Sequence, residues 1–328
     1  MVQADRSSWV THPWVAEGQR TIRFGVSVLN PGADWSRHRE WVQMAEDLGL
    51  DSYWAFDHPL GNPDCWTTLT MLAATTKKIR LGSSVSCISY RSPAMLARLA
   101  ADVDRLSNGR LILGIGIGDF PQEFEQLGIP FQSTRERQQV LEEAIHVVLG
   151  LWEATSFSYQ GKYFHIHEAQ MRAGPVQQPR IPILIAGGGE QVTLRQVASY
   201  ADVSNFGAHI WAGSAFHVED IVRKYDVLRV HCEARERPYS SVLRSYMTHP
   251  LILAETHTSL QGKLDAAPKG LRALFQSSTI AGTPPEVIAH YQALVRAGVQ
   301  YFIMSIFRQD VETLQLLTQQ VMPALTKI

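Results

Sequence analysis

The sequence is poor in cysteine, in net charge and in long apolar runs. Its three cysteines, Cys65, Cys87 and Cys232, are far apart and form neither a CxxC pair nor a zinc-type spacing. We therefore expect reduced, buried thiols in a cytoplasmic protein rather than a disulfide framework. The net charge of −1 provides no basic face, which argues against nucleic acid or an anionic membrane as a partner.

Targeting and anchoring segments are also missing from the sequence. No run approaches the roughly 18 apolar residues that a transmembrane helix needs. Residues 1–20 carry four charged side chains and no apolar core of a signal peptide, so we expect none. We predict a loosely ordered N-terminal arm over residues 1–20 and one domain over residues 21–328.

Strand-like and helix-like patterns alternate along almost the whole chain. With 45% apolar and 19% charged residues, its 328 residues can bury a large core. Eight strand-then-helix units predict parallel strands joined by helical crossovers, and favour a closed (β/α)₈ TIM barrel over an open sheet. The predicted strands cover residues 22–29, 51–56, 79–86, 110–117, 182–186, 203–206, 242–253 and 301–306.

Two long segments, at about residues 156–180 and 254–278, interrupt this rhythm. Long inserts in a compact domain are often functional, so we expect both to be lids at the C-terminal face of the barrel. The first contains a hairpin-like sequence with His165 and His167. An H-x-H pair can bind metal in barrel hydrolases, but no supporting carboxylate or lysine ligands are apparent, and we predict no metal site.

Three consecutive glycines, Gly187 to Gly189, follow the apolar run that ends at Ala186 and precede a helical pattern. A glycine turn before a helix exposes backbone N–H groups and the positive end of the helix dipole, and lets a phosphate approach closely. The pattern indicates a phosphorylated ligand. A tight turn without a ligand is the alternative.

Asp57 and His58 follow the second predicted strand, where catalytic groups of a barrel lie. Strand alternation predicts that Ala55 and Asp57 share the inner face while Trp54 and Phe56 pack toward the helices. His58 could then serve a bound ligand as donor or acid/base. The alternative is a capped loop with an ion-paired histidine.

Gly114, Gly116 and Gly118 alternate along the fourth predicted strand. They do not match the dinucleotide-binding G-x-G-x-x-G pattern, because Asp119 occupies the last position. Small residues at period two on one face leave a cavity or admit a flat ligand. The first and third predicted strands show the same spacing, with Gly25 and Ser27 and with Gly82 and Ser84. Ordinary alternation of large and small residues in a packed barrel remains the alternative. No Walker A sequence and no G-x-S-x-G elbow occurs.

The order of these motifs resembles the bacterial-luciferase-like, flavin- and deazaflavin-dependent oxidoreductases over about residues 22–326. Asp57-His58 in particular is similar to the coenzyme F420-dependent branch. The other motifs that carry the resemblance are Arg91-Ser92-Pro93-Ala94, Leu106-Ser107-Asn108-Gly109-Arg110, the glycine-rich strand at 113–118, Glu123-Phe124, Leu127-Gly128-Ile129-Pro130-Phe131, Pro175-Val176-Gln177-Gln178-Pro179, the Gly-Gly-Gly turn and Ala281-Gly282-Thr283-Pro284-Pro285-Glu286.

The resemblance implies an isoalloxazine-type ring at the top of the barrel. His58 and Asp119 would be catalytic, although relatives usually carry Glu at the position of Asp119. Ser84-Val85 aligns with a non-prolyl cis peptide that family members often have under the ring. The implied cofactor-binding residues are Asp57, Ser84, Val85, Gly118, Gln122, Ala186, Gly187, Gly188 and Gly189. The aromatic residue that follows the Asp-His pair in glucose-6-phosphate-dehydrogenase-like relatives is missing, which argues against that substrate. Five aromatic residues could line an apolar pocket, although aromatic residues at such spacing more often belong to a core: Trp54, Tyr90, Phe120, Trp152 and Phe206.

Three functions therefore stand as hypotheses. The first is hydride transfer between coenzyme F420 and an unidentified small organic substrate. The second is an FMN-dependent monooxygenase that takes reduced flavin from a partner reductase and uses dioxygen. The third is a flavin-binding barrel without catalysis. Dimers are common among the relatives, so the resemblance also implies a homodimer.

Overall fold

The fold is described from a computed structural model, which covers residues 9–208, 214–267, 270 and 275–325. Eight parallel strands close into a barrel, as the alternation of patterns predicted. In order around the barrel they pair as β1–β2–β3–β5–β8–β9–β10–β12, and β12 pairs again with β1. The strands are β1 (Arg23–Leu29), β2 (Ser52–Ala55), β3 (Arg80–Ser83), β5 (Leu111–Gly116), β8 (Ile183–Ala186), β9 (Val203–Gly207), β10 (Leu243–Leu253) and β12 (Tyr301–Phe307).

Two short strands extend this sheet outside the closed ring. Strand β4 (Ser86–Cys87) pairs with β5, and β11 (Ile280–Gly282) pairs with the end of β10. The sequence pattern merged β4 with β3 and gave no signal for β11, whose three residues are too few to show a period.

Helices cover the outside of the barrel, and several begin at the polar caps that the sequence provides. Asp34 and Asp64 cap two of them, and Ser133 with Glu136 forms a capping box. The helices are α1 (Pro13–Gly18), α2 (Trp35–Asp47), α3 (Cys65–Thr75), α4 (Pro93–Leu106), α5 (Pro121–Gln126), α6 (Thr134–Glu153), α7 (Thr193–Tyr200), α8 (Val218–Glu233), α9 (His257–Ala266), α10 (Pro284–Arg296), α11 (Val311–Leu316) and α12 (Met322–Leu325). None of the helices in these ranges is long and apolar enough to cross a membrane.

The barrel interior is a packed core at its N-terminal end. Trp54 and Tyr301 fill it together with Ile112, Leu184 and Ile303. Glycines on two strands make room for the indole. A Cβ at Gly25 would lie 2.3 Å from an atom of Ser52, and a Cβ at Gly82 would lie 2.3 Å from an atom of Trp54. These small residues therefore belong to alternating large and small packing, and the cavity interpretation is wrong for them.

The prediction of a loose N-terminal arm is wrong for residues 13–18, which form helix α1. Trp14 is 2% exposed and packs edge-on against Tyr301 at 5.7 Å between ring centroids. The guanidinium groups of Arg23 and Arg80 lie over the same indole at 4.8 and 5.2 Å. Helix α1 therefore closes the N-terminal end of the barrel. Residues 1–8 lie outside the described residues.

The two insertions lie at opposite ends of the barrel, although both were predicted at its C-terminal face. The segment 156–180 follows α6 and precedes β8, so it connects a helix to a strand and belongs to the N-terminal end. Its hairpin, β6 (Phe157–Gln160) and β7 (His165–Ala169), packs along the outer side of α6, where Glu143 accepts the backbone N–H of Tyr163 at 2.8 Å. It is not a lid over the site.

The segment 254–278 follows strand β10 and does lie at the C-terminal face. It contains helix α9, which the sequence analysis did not predict. The ammonium group of Lys263 bonds to the Leu253 carbonyl and to the Asp310 carboxylate, both at 2.7 Å. These bonds join α9 to the loop after β12. Residues 268, 269 and 271–274 lie outside the described part of the insertion.

Candidate active site

A histidine bonded to a buried carboxylate lies at the C-terminal end of strand β2. His58 Nδ1 is 2.9 Å from Glu123 Oε2, and the Tyr90 hydroxyl donates to the same oxygen at 2.7 Å. Helix α5 presents Glu123, which is only 8% exposed. The Phe120 ring meets the imidazole edge-on at 5.0 Å between centroids. Helix α5 and its N-cap residue thus fix the orientation of His58.

The ion pair shifts both groups toward their charged forms. Burial would lower the pKa of His58, but the hydrogen bond and the charge of Glu123 outweigh it, so the pKa is raised. Burial would raise the pKa of Glu123, but the hydrogen bonds from His58 and Tyr90 outweigh it, so that pKa is lowered. The site therefore favours an imidazolium beside a carboxylate.

Strand β2 points its side chains in the opposite sense to the prediction. Trp54 lies in the barrel interior with Phe56 packed against it, whereas Tyr53 and Ala55 pack toward the helices. The predicted inner face of Ala55 and Asp57 is therefore wrong. The ring of His58 lies 6.5 Å from that of Phe56 between centroids, on the same side of the chain.

Asp57 is directed to the partly buried Arg91 rather than to the barrel interior. Arg91 donates to its two carboxylate oxygens at 2.5 and 2.9 Å, and the Cys87 backbone N–H donates to one of them at 3.2 Å. Burial raises the pKa of Asp57, and Arg91 opposes that shift. The side chain holds β4 and the following loop in place, and its assignment to cofactor binding stays a prediction.

The peptide bond between Ser84 and Val85 is cis, as the resemblance implied. The Val85 side chain then lies over the glycines of β5, where a Cβ at Gly116 would be 2.7 Å from Val85 Cγ2. A Cβ at Gly114 would meet the Ser83 carbonyl oxygen at 2.0 Å. These two glycines accommodate the chain at β3 and β4, so they are not the floor of an empty cavity.

Asp119 lies in the loop between β5 and α5, close enough to His58 for their charges to interact. Burial raises the pKa of Asp119, while His58 and Arg137 oppose that shift. Arg137 donates to the carbonyl oxygen of Gly118, whose φ is +73°. The structure thus brings Gly118 and Asp119 to the C-terminal rim of the barrel, where His58 also lies. Gln122 is exposed on α5, and its role in cofactor binding stays a prediction.

The glycine turn lies at the C-terminal end of β8, and helix α7 begins four residues after it, at Thr193. Gly187 has φ +115°, and its N–H donates to the Asn205 carbonyl at 2.8 Å. Lys224, 5% exposed, donates to the Gly188 carbonyl at 2.7 Å. Strand β9 and helix α8 therefore hold the turn in place from behind.

The turn fits the phosphate tail that the resemblance implies. A Cβ at Gly189 would lie 2.9 Å from Thr193 Oγ1, so a side chain there would fill the space in front of the helix. Val192 at the N-cap makes no side-chain capping hydrogen bond. The start of α7 thus keeps backbone donors and a hydroxyl for an anionic group.

Glu123 and Tyr90 are site residues that the sequence analysis did not assign. Glu123 entered only as part of a family motif, and Tyr90 as one of five aromatic residues that could line a pocket. Of those five, Tyr90 and Phe120 lie at His58. Trp54 and Phe206 are core residues, and Trp152 bonds to the Ala97 carbonyl between helices. The contact between Glu123 on α5 and His58 at the end of β2 joins residues 65 positions apart, and no short sequence pattern predicts it.

Comparison with known proteins decides the family. Residues 21–271 match the model of the luciferase-like monooxygenases. The chain belongs to this family. Its relatives are named dehydrogenases, reductases and monooxygenases, all of which are oxidoreductases.

Two curated relatives and one solved structure show the range of similarity. An F420-dependent glucose-6-phosphate dehydrogenase of Kineococcus radiotolerans is 36% identical over 162 residues, 47% of each protein. The corresponding protein of Amycolatopsis mediterranei is 26% identical over 299 residues, 80% of this chain and 86% of that one. The coenzyme F420-dependent tetrahydromethanopterin reductase of Methanopyrus kandleri has a TM-score of 0.77 at 20% identity, over 93% of this chain and 99% of that one, which shows the shared fold. The chain thus spans about half the length of one curated relative and most of the other.

Proposed function

We propose that the protein transfers hydride between coenzyme F420 and a small organic substrate at the C-terminal face of the barrel. The observation that carries the proposal is the imidazole of His58 at the C-terminal end of β2, where the buried carboxylate of Glu123 holds it. Both curated relatives above are named as F420-dependent, which supports the choice of cofactor.

The residues that would hold the cofactor lie on three elements. The turn Gly187–Gly189 and Thr193 would bind its phosphate, while Ser84 and Val85 would support its ring. Ala186, Gly118 and Gln122 would complete the binding surface, with Asp57 acting from behind β4. When bound, the deazaflavin would exchange a hydride with the substrate, and the protein supplies orientation and proton transfer.

His58 would move the proton that accompanies the hydride. In the oxidative direction the substrate loses a hydride from carbon to the cofactor and a proton from its hydroxyl or amine to His58. In the reductive direction His58 returns that proton. Asp119, on the same rim, would assist by the electrostatic interaction that it already has with His58.

The rival proposal is an FMN-dependent monooxygenase, because the matched family is named for monooxygenases. Such an enzyme would need a partner flavin reductase. We also propose a homodimer and a cytoplasmic location. An exposed apolar strip on α8 formed by Val218, Val222 and Val230 would suit a subunit contact, and the three buried free thiols suit a reducing compartment.

A parallel screen separates the two reactions. The purified protein is mixed with oxidised or reduced F420 and a panel of alcohols, aldehydes, ketones and enones, and cofactor absorbance is followed without oxygen. The same panel is tested with reduced FMN while dioxygen uptake is measured. We expect substrate-dependent redox change of F420 without oxygen uptake. Substrate-dependent oxygen uptake with FMN alone would overturn the proposal.

A further inference from the structure

Glu123 makes two hydrogen bonds with one carboxylate oxygen, and they come from different elements. The donor groups are His58 Nδ1 at the end of β2 and the Tyr90 hydroxyl in the loop after β4. A buried carboxylate held by two donors is fixed in direction as well as in charge. The three side chains form a continuous chain from the end of β2 to the half-buried Tyr90.

This arrangement determines which imidazole nitrogen carries a proton. An ionised carboxylate only accepts hydrogen bonds, so Nδ1 of His58 must be the N–H that faces Glu123. That leaves Nε2 as the nitrogen available to a ligand. A ring turned over by 180° would present a carbon atom to Glu123 and lose this hydrogen bond.

The charges around the imidazole are mainly negative. Glu123 faces it from α5, Asp119 from the loop before α5, and Asp57 from its own segment. Tyr90 contacts Glu123 as a neutral donor. Among the residues that the structure describes, Arg91 is paired with Asp57, and Arg137 donates to the Gly118 carbonyl. The surroundings therefore favour the doubly protonated ring.

We propose that Glu123, held by Tyr90, is the positioning residue of this site and keeps His58 as an imidazolium whose Nε2–H is the proton donor. The part played by this proton in catalysis rests on the proposed function. There, hydride from the reduced cofactor adds to the carbon of a polarised double bond and the proton from Nε2 adds to its other atom. The preferred substrate class is therefore a carbonyl, imine or conjugated alkene that is reduced.

The direct test measures His58 itself in protein without cofactor. The protein is labelled with ¹³C and ¹⁵N in its 12 histidines, and the His58 signals are assigned by their loss in His58→Asn. Titration then gives the pKa and the protonated nitrogen in wild type, Glu123→Gln and Tyr90→Phe. Glu125→Gln, an exposed carboxylate on the same helix, is the matched control.

We expect only one of these variants to lower the pKa of His58. Glu123→Gln should lower the pKa of His58, because the neighbouring negative charge is lost. Tyr90→Phe should leave that pKa unchanged or raise it, because the carboxylate loses a competing donor. Glu125→Gln should change nothing. A His58 pKa that is the same in Glu123→Gln and wild type, or a neutral ring protonated only on Nε2 in wild type, would overturn the proposal.

The kinetic readout separates this proposal from the proposed function. At high pH, Glu123→Gln should lower the rate at which a substrate found in the screen is reduced by about tenfold or more. The rate should recover toward low pH, and the affinity for the cofactor should change little. Glu123→Asp should restore part of the lost rate. If F420 does not bind, the proposed function fails while the titration still decides the role of Glu123. Equal loss at every pH would contradict the positioning role.

Discussion

Arg91 donates to both carboxylate oxygens of Asp57, at 2.5 and 2.9 Å, and the side chain of Asp57 is 1% exposed while that of Arg91 is 18% exposed. The ion pair connects the segment after β2 to the loop after β4, and so supports both the residue before His58 and the backbone that follows the cis peptide. Breaking a buried pair by removing one partner leaves the other charge without compensation.

Arg91→Met should therefore lower the free energy of unfolding by about 3–5 kcal/mol in urea titrations. The control is Arg98→Met on the following helix, where an exposed pair with Asp102 contributes about 0.5 kcal/mol or less. If both variants unfold at the same urea concentration, the Asp57–Arg91 pair does not support the site as described.

Gly187→Ala should weaken cofactor binding at the glycine turn. A φ of +115° is unfavourable for any residue with a side chain and costs about 1–3 kcal/mol, so the turn should shift and misplace its N–H groups. We expect an increase in Kd of about tenfold or more in a fluorescence titration. Gly262→Ala in α9, where a Cβ meets nothing within 4 Å, should leave Kd unchanged. Equal affinities in the two variants would count against a phosphate at this turn.

His58→Asn should abolish most of the hydride transfer while leaving the cofactor bound. Loss of a general acid or base typically costs about 10²–10⁴ in rate. The measurement is a single turnover with preloaded cofactor, and Kd should change by less than about threefold. His165→Asn, in the exposed hairpin, is the control. Undiminished turnover in His58→Asn would leave a binding barrel or another catalytic group as the explanation.

The same residue should make stability depend on pH. The pKa of His58 is raised in the folded state, so its contribution is fully present below the unfolded value and is lost as pH rises through the folded value. The difference in unfolding free energy between wild type and His58→Asn should therefore shrink on going from mildly acidic to alkaline solution. A difference that grows over that range would show that the folded-state pKa is lowered.

Trp14→Ala should destabilise the barrel from its N-terminal end. The indole is 2% exposed and packs on Tyr301, so its removal should cost about 3–5 kcal/mol. Trp9→Ala, which removes a 37% exposed ring, should cost clearly less. Cofactor affinity should be equal in both variants under folding conditions, because helix α1 lies at the end opposite the site. A large selective loss of affinity in Trp14→Ala would contradict that placement.

The barrel could be predicted from the sequence because each strand and each long helix has its own period. The glycine turn and the cis peptide were also found, the second through family resemblance alone. The direction of the side chains on β2 could not be predicted, because this strand is apolar on both faces. Alternation alone then does not show which face points into the barrel. The partners of His58 were missed for a different reason: Glu123 reaches it from a six-residue helix whose contacts depend on tertiary packing.

The placement of the first insertion shows the same limit. Its length suggested a lid. The end of the barrel at which a loop lies depends, however, on whether the loop follows a strand or a helix. Residues 156–180 follow a helix, so they return to the N-terminal end, where Gln177 bonds to Asp104 and to the Leu111 carbonyl, each at 2.7 Å. Only the insertion after β10 lies at the end that carries His58.

The most direct test of this account is an equilibrium titration of the purified protein with F420 and with FMN, each in its oxidised and reduced form. Binding is followed by fluorescence and by the heat released. We predict that F420 binds at least about tenfold more tightly than FMN, a difference of about 1.4 kcal/mol. Tighter binding of FMN, or no binding of F420 in either redox state, would contradict the account.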